Sequence, residues 1–139
     1  MNVKQVIVIR KDLKMRRGKE IAQGSHASIA FLTRRLQEYW EGLGNMSASE
    51  EPPIFDFGSF QEVAEEWIKG IFTKVCLRVD SEEELLELYE KVQEAGIEVH
   101  LITDRGLTEF HGVPTHTCLG IGPVEADKID EITGDLKLY

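Results

Sequence analysis

Six cations fall within ten positions of this 139-residue chain: Arg10, Lys11, Lys14, Arg16, Arg17 and Lys19. Asp12 is the only acid among them. Such a run is often no more than a solvated face. It suits phosphate if a helix starts there, because free backbone N–H groups and the helix dipole favour an anion. Lys19, Gln23 and His26 follow at i, i+4 and i+7, so one helix face would carry all three. A lone helical histidine is usually structural, but the neighbours of His26 on that face are polar. Ser25 has no visible base and orienting partner, which argues against a serine nucleophile. A second polar segment opens at Asp104, behind an apolar run, and continues to Pro114. An aspartate ahead of Gly106 reads as a turn residue that binds its own backbone. It also reads as a carboxylate able to orient a water or an amine. Thr108, Thr115 and Thr117 add hydroxyls nearby. Neither the G-x-x-x-x-G-K-[ST] phosphate loop nor Gly-x-Gly-x-x-Gly occurs. A nucleophile elbow is also missing, which argues against a general esterase.

Both segments need elements to hold them. Val3 to Ile9 alternates and is β-rich, so it reads as a first strand. A long helix is predicted from about Gly18 to Glu41, with Ile21, Ser25, Ile29, Leu32, Leu36 and Tyr39 as its buried face. Residues 42–58 read as a loop insertion, part of which packs down through Phe55, Phe57 and Phe60. Ser59 with Glu62, and Ser81 with Glu84, fit capping boxes that start two further helices. Thr73–Val79, Ile97–Thr103 and Thr117–Ile121 read as strands, and Pro123 is expected to open a last helix. The order β-α-α-β-α-β-β-α predicts a single-domain α/β fold, three-layer α/β/α, with a mixed four-stranded sheet. Such sheets bind ligands beyond the carboxyl ends of their parallel strands. That edge is where Arg10–Arg17 and Asp104–Pro114 would meet.

Bulk properties narrow the class. Apolar content of 42% and charged content of 29% are ordinary for a globular protein, and no apolar run reaches the length of a membrane span. The chain has no signal-peptide pattern, so a cytoplasmic location is expected. Cys76 and Cys118 lack zinc-site spacing and read as two buried thiols in a reducing compartment. A net charge of −9 argues against non-specific nucleic-acid binding. The local cationic run still suits one phosphate-rich end.

The stretch Asp12-Leu13-Lys14-Met15-Arg16-Arg17-Gly18-Lys19-Glu20-Ile21-Ala22-Gln23-Gly24-Ser25-His26-Ala27 resembles the signature of the type 2 peptidyl-tRNA hydrolase family. Leu101-Ile102-Thr103-Asp104-Arg105-Gly106-Leu107-Thr108-Glu109 is similar to a second family motif. Gly120-Ile121-Gly122-Pro123 and Ile132-Thr133-Gly134-Asp135-Leu136-Lys137-Leu138 match a third and a fourth, in the same order.

This resemblance implies hydrolysis of the ester between a peptide and the 3′ ribose of tRNA. It implies peptidyl-tRNA as partner, no metal and no organic cofactor, and possible homodimers. It makes Lys19, Asp104, Thr108 and Thr117 the candidate catalytic residues. It adds Lys14, Gln23 and Ser25 as candidate substrate contacts, and the cationic run and the shared helix face add Arg16, Arg17 and His26. In the implied scheme Lys19 donates to the oxyanion or leaving oxygen while Asp104 positions water or holds Lys19. Thr108 and Thr117 then fix the substrate carbonyl. That scheme requires Lys19 and Asp104 within hydrogen-bond reach. Departures from the family pattern fall in both of the first two motifs. Leu107 replaces a usual Arg and Glu109 a usual Gln, while Arg16 and Arg17 replace Gly and Lys, and Gly24 a common Cys. The alternatives are a non-catalytic RNA- or protein-binding member of the same fold, and a small-molecule enzyme with a closed pocket.

Overall fold

The computed structural model describes all 139 residues, Met1–Tyr139. Its elements are β1 (Val3–Arg10), α1 (Arg17–Gly44), α2 (Gln61–Lys69), β2 (Lys74–Val79), α3 (Glu82–Glu94), β3 (Val99–Asp104), β4 (Thr115–Glu125) and α4 (Ala126–Thr133). Single 3₁₀ turns, Lys11–Leu13 and Gly58–Phe60, precede α1 and α2. The sheet order is β2-β1-β4-β3. β1 pairs in parallel with β2, and β4 runs antiparallel to both β1 and β3. The sheet is mixed, as the element order predicts. β1 and β3 therefore point the same way, and their carboxyl ends, Arg10 and Asp104, share one edge.

Alternation along β1 sorts the core into two layers. Val6 and Val8 pack with Leu85, Leu88, Val92 and Ile129 of α3 and α4. Ile7 and Ile9 pack with Ala27 and Ala30 of α1, together with Met15, Ile102 and Cys118. Phe31 joins Ala64 and Trp67 of α2 in a third cluster on the α1 side. Phe57 and Phe60 lie against Phe31, and Phe55 bridges Phe57 and Tyr39, so the end of the 42–58 segment does pack down.

The buried face of α1 differs from the expected one. Gln23, Ala27, Ala30 and Phe31 are buried, whereas Ile21 and Ile29 are exposed, as is Ser25. The reason is a close approach between α1 and β4. A Cβ on Gly120 would stand 2.1 Å from the Ala27 carbonyl oxygen. Only small residues fit such a crossing, so alanines rather than β-branched residues face the sheet.

Other boundaries shift for identifiable reasons. Pro123 lies inside β4 and does not open α4. It occupies a bulge, where Gly122 and Pro123 oppose only Gln5 between the pairs Lys4↔Val124 and Val6↔Ile121. A proline costs little there, because no ladder N–H is required. The Ser81 cap is present, its hydroxyl accepting from the Glu84 N–H at 3.1 Å. The Ser59–Glu62 box is not, because the 3₁₀ turn feeds α2 directly and Phe60 caps it without a side-chain bond. Cys118 is buried, but Cys76 is exposed on the outer strand β2, so only one of the two thiols is a core residue.

Candidate active site

Asp104 ends β3 and faces the first turns of α1 across the sheet edge. Lys19 Nζ donates to Asp104 Oδ1 at 2.7 Å and to Thr108 Oγ1 at 2.9 Å. Gln23 Nε2 donates to the same carboxylate oxygen at 3.2 Å. Asp104 Oδ2 accepts the Gly106 N–H at 2.8 Å. The turn reading and the lysine-holding reading of Asp104 are thus both satisfied, one by each oxygen. Gly106 allows this turn. Its φ is +80°, and a Cβ there would stand 2.3 Å from the Val113 carbonyl oxygen.

The ion pair is largely desolvated, with side-chain exposures of 14% for Lys19 and 12% for Asp104. Burial pushes the Asp104 carboxyl upward. The Lys19 and Gly106 hydrogen bonds, with the positive charge of Lys19, outweigh it and hold the group below the usual carboxylate range. Phe110 lies 5.8 Å from Lys19 Nζ and shields its other side.

Thr117 enters this network from beneath. It is fully buried, and its hydroxyl donates to Gln23 Oε1 at 2.6 Å. Plain alternation would place it with Leu119 and Ile121, on the α3 side. The β3–β4 register prevents that. Ile102 pairs with Cys118 and Thr103 with His116, leaving Thr117 as the extra residue of a bulge. Bulges re-aim side chains, and this one turns the hydroxyl toward α1. Cys118 adds a contact from its Sγ to the Gln23 carbonyl at 3.4 Å. A hydroxyl so placed orients Gln23, and it cannot also touch a substrate carbonyl as expected.

Lys19, Gln23, His26, Thr103, Asp104, Arg105, Leu107 and Thr108 line a cleft of about 350 Å³. His26, Thr103, Arg105, Leu107 and Thr108 are exposed, so the cleft is open at the surface and not an enclosed pocket. Arg105 was not singled out by residue type or spacing, although its place beside Asp104 was a usable signal. Lys14 and Arg17 stand near the α1 N-terminus, exposed and without an ion-pair partner. Arg16 is paired with Glu109 at 2.7 Å. Ser25 is not brought to this cleft. Its hydroxyl donates to the Ile21 carbonyl, and it borders a separate groove with Cys76 and Tyr139.

The family model described as Peptidyl-tRNA hydrolase PTH2 matches residues 3–139. This chain belongs to that family. A peptidyl-tRNA hydrolase of Methanothermobacter thermautotrophicus is 43% identical over 136 residues, covering 98% of this chain and 99% of its own. Those of Methanopyrus kandleri and Methanocaldococcus jannaschii are 40% and 37% identical, and each alignment spans at least 97% of both chains. Family membership thus extends over both loops of the cleft and over the 42–58 segment. No helix is long and apolar enough to cross a membrane.

Proposed function

We propose that the Lys19–Asp104 cleft hydrolyses the ester between a peptide and tRNA in peptidyl-tRNA, releasing both. The observation that carries this reading is the desolvated Lys19–Asp104 pair at the carboxyl edge of the sheet, in an open cleft that Arg105 also lines. An open cleft suits a substrate whose bulk stays outside. Lys14, Arg17 and Arg105 supply charge for its phosphates.

The chemistry follows from the donors and acceptors. An ammonium has three N–H groups, and Lys19 spends two on Asp104 and Thr108. The third serves the developing oxyanion or the leaving ribose oxygen. Asp104 keeps acceptor capacity on Oδ2 beyond the Gly106 bond. A water held there attacks the ester carbonyl. A carboxylate below its usual range is a weak base, so Asp104 orients that water more than it deprotonates it early. Thr108 accepts from Lys19 and has its own proton free for the substrate carbonyl. The carbon–oxygen bond to ribose then breaks, and the proton lost by water passes to the leaving oxygen. Thr117 and Gln23 hold the carboxylate in place, and His26 lies on the cleft wall as a substrate contact. Ser25, facing another groove, has no part in this scheme.

The same reading places the protein in the cytoplasm, where peptidyl-tRNA is made. It also allows a homodimer, for which the exposed Ile21 and Ile29 on the outer face of α1 offer apolar surface. The test of function is release of peptide from N-acetyl-aminoacyl-tRNA. Wild type is expected to turn over, and Lys19→Ala to lose about 10²- to 10⁴-fold in kcat while keeping its fold. Absence of wild-type turnover with retained tRNA binding would instead indicate a non-catalytic RNA-binding member.

A further inference from the structure

Three acids at the ligand edge are each held by a nearby cation. Asp12 is held by Arg10, with bonds of 3.1 and 2.7 Å, and Asp104 by Lys19 at 2.7 Å. Glu109 is the third, and its position differs. One of its oxygens accepts from Arg16 Nε at 2.7 Å and the other from the Arg16 backbone N–H at 3.4 Å. Arg16 is the N-cap residue of α1. Glu109 therefore sets a carboxylate on a guanidinium and a backbone N–H together, at the start of a 28-residue helix. A phosphate would seek the same two donors. The Glu109 side chain is 15% exposed, while Arg16 is 80% exposed. The pair thus joins the β3–β4 loop to the start of α1. The Arg16 hydrogen bond holds the Glu109 carboxyl below its usual range, so it stays anionic at neutral pH.

We propose that Glu109 is an internal competitor for phosphate at the N-terminus of α1, and so a specificity-determining residue. It rests on the hydrolase reading above. An isolated phosphate meets Arg16 already neutralised by a tethered carboxylate at high effective concentration. A nucleic-acid backbone brings further phosphates to Lys11, Lys14 and Arg17 at the same time, none of which has an ion-pair partner. Only such a polyanion displaces Glu109 from Arg16. The ligand class selected is a phosphodiester chain rather than a mononucleotide or free phosphate. The net charge of −9 works in the same direction, because it opposes weak anion binding elsewhere on the surface.

The experiment measures KM for N-acetyl-aminoacyl-tRNA and Kd for uncharged tRNA over a range of salt concentrations. It compares wild type, Glu109→Gln, Arg16→Gln and the double variant, with melting temperatures to confirm folding. Glu109→Gln is expected to lower KM and Kd by roughly threefold to tenfold. The slope of its salt dependence should match that of wild type, because Arg16 meets a phosphate in both, and should fall by roughly one unit where Arg16 is removed. The gain in binding should vanish in the double variant, because the freed Arg16 is its cause. Tighter binding that persists in the double variant would overturn the proposal, since a general loss of negative charge would explain it. Unchanged or weaker binding by a folded Glu109→Gln would also overturn it, leaving Glu109 as a loop brace. The Kd series decides this point even if wild type shows no turnover, so failure of the hydrolase reading is seen separately.

Discussion

Two ion pairs join the start of α1 to the end of β3 and the loop after it, each at 2.7 Å, and burial makes them different devices. Lys19 and Asp104 are both shielded, and Gln23, Gly106, Thr108 and Phe110 surround them. Arg16 stands in solvent, and its partner Glu109 has no other side-chain donor. A shielded pair resists salt and keeps a fixed geometry, because removing either partner leaves a charge in a site built for two. A pair with one solvated member contributes about 0–1 kcal/mol and exchanges readily with other ions. The inner pair is therefore suited to orient reacting atoms, and the outer pair to trade one anion for another.

Breaking the inner pair should have the largest effect. Asp104→Ala removes the seat of the water and the partner of Lys19, and is expected to lose at least about 10²-fold in kcat. Loosening its support should matter less. Thr117→Val keeps shape but leaves the buried Gln23 Oε1 without its donor, at a cost of roughly 1–3 kcal/mol in stability. An accompanying fall of about tenfold in kcat with little change in KM would mark Thr117 as a positioning residue, and Thr117→Ser should restore the activity. The outer pair should matter least to the fold. Arg16→Ala is expected to change unfolding free energy by no more than about 1 kcal/mol in a denaturant titration. A larger loss would erase the distinction between the two pairs.

Much of this arrangement was legible in the residues. The order of elements predicts the mixed sheet, and with it the meeting of the Arg10–Arg17 and Asp104–Pro114 segments at one edge. The spacing of Lys19, Gln23 and His26 predicts a shared helix face, and all three line the cleft. What escaped depends on backbone approach in three dimensions. The tight crossing of Gly120 and Ala27 selects small residues, so the isoleucines of α1 misled the assignment of its buried face. A bulge leaves no mark in hydrophobic alternation, so neither the turned hydroxyl of Thr117 nor the placement of Pro123 within β4 was readable. Glu109 and Arg16 each stood out as departures from the family pattern. Their pairing, across 93 positions of sequence, needed the fold.

In the proposed chemistry Lys19 and Asp104 act as one unit. A double-mutant cycle on kcat for N-acetyl-aminoacyl-tRNA, using Lys19→Ala, Asp104→Ala and the two combined, tests it most directly. The double variant is expected to be about as slow as the slower single variant, because the first substitution already disables the pair. Losses that multiply across the cycle would contradict the account and assign the two residues to separate steps.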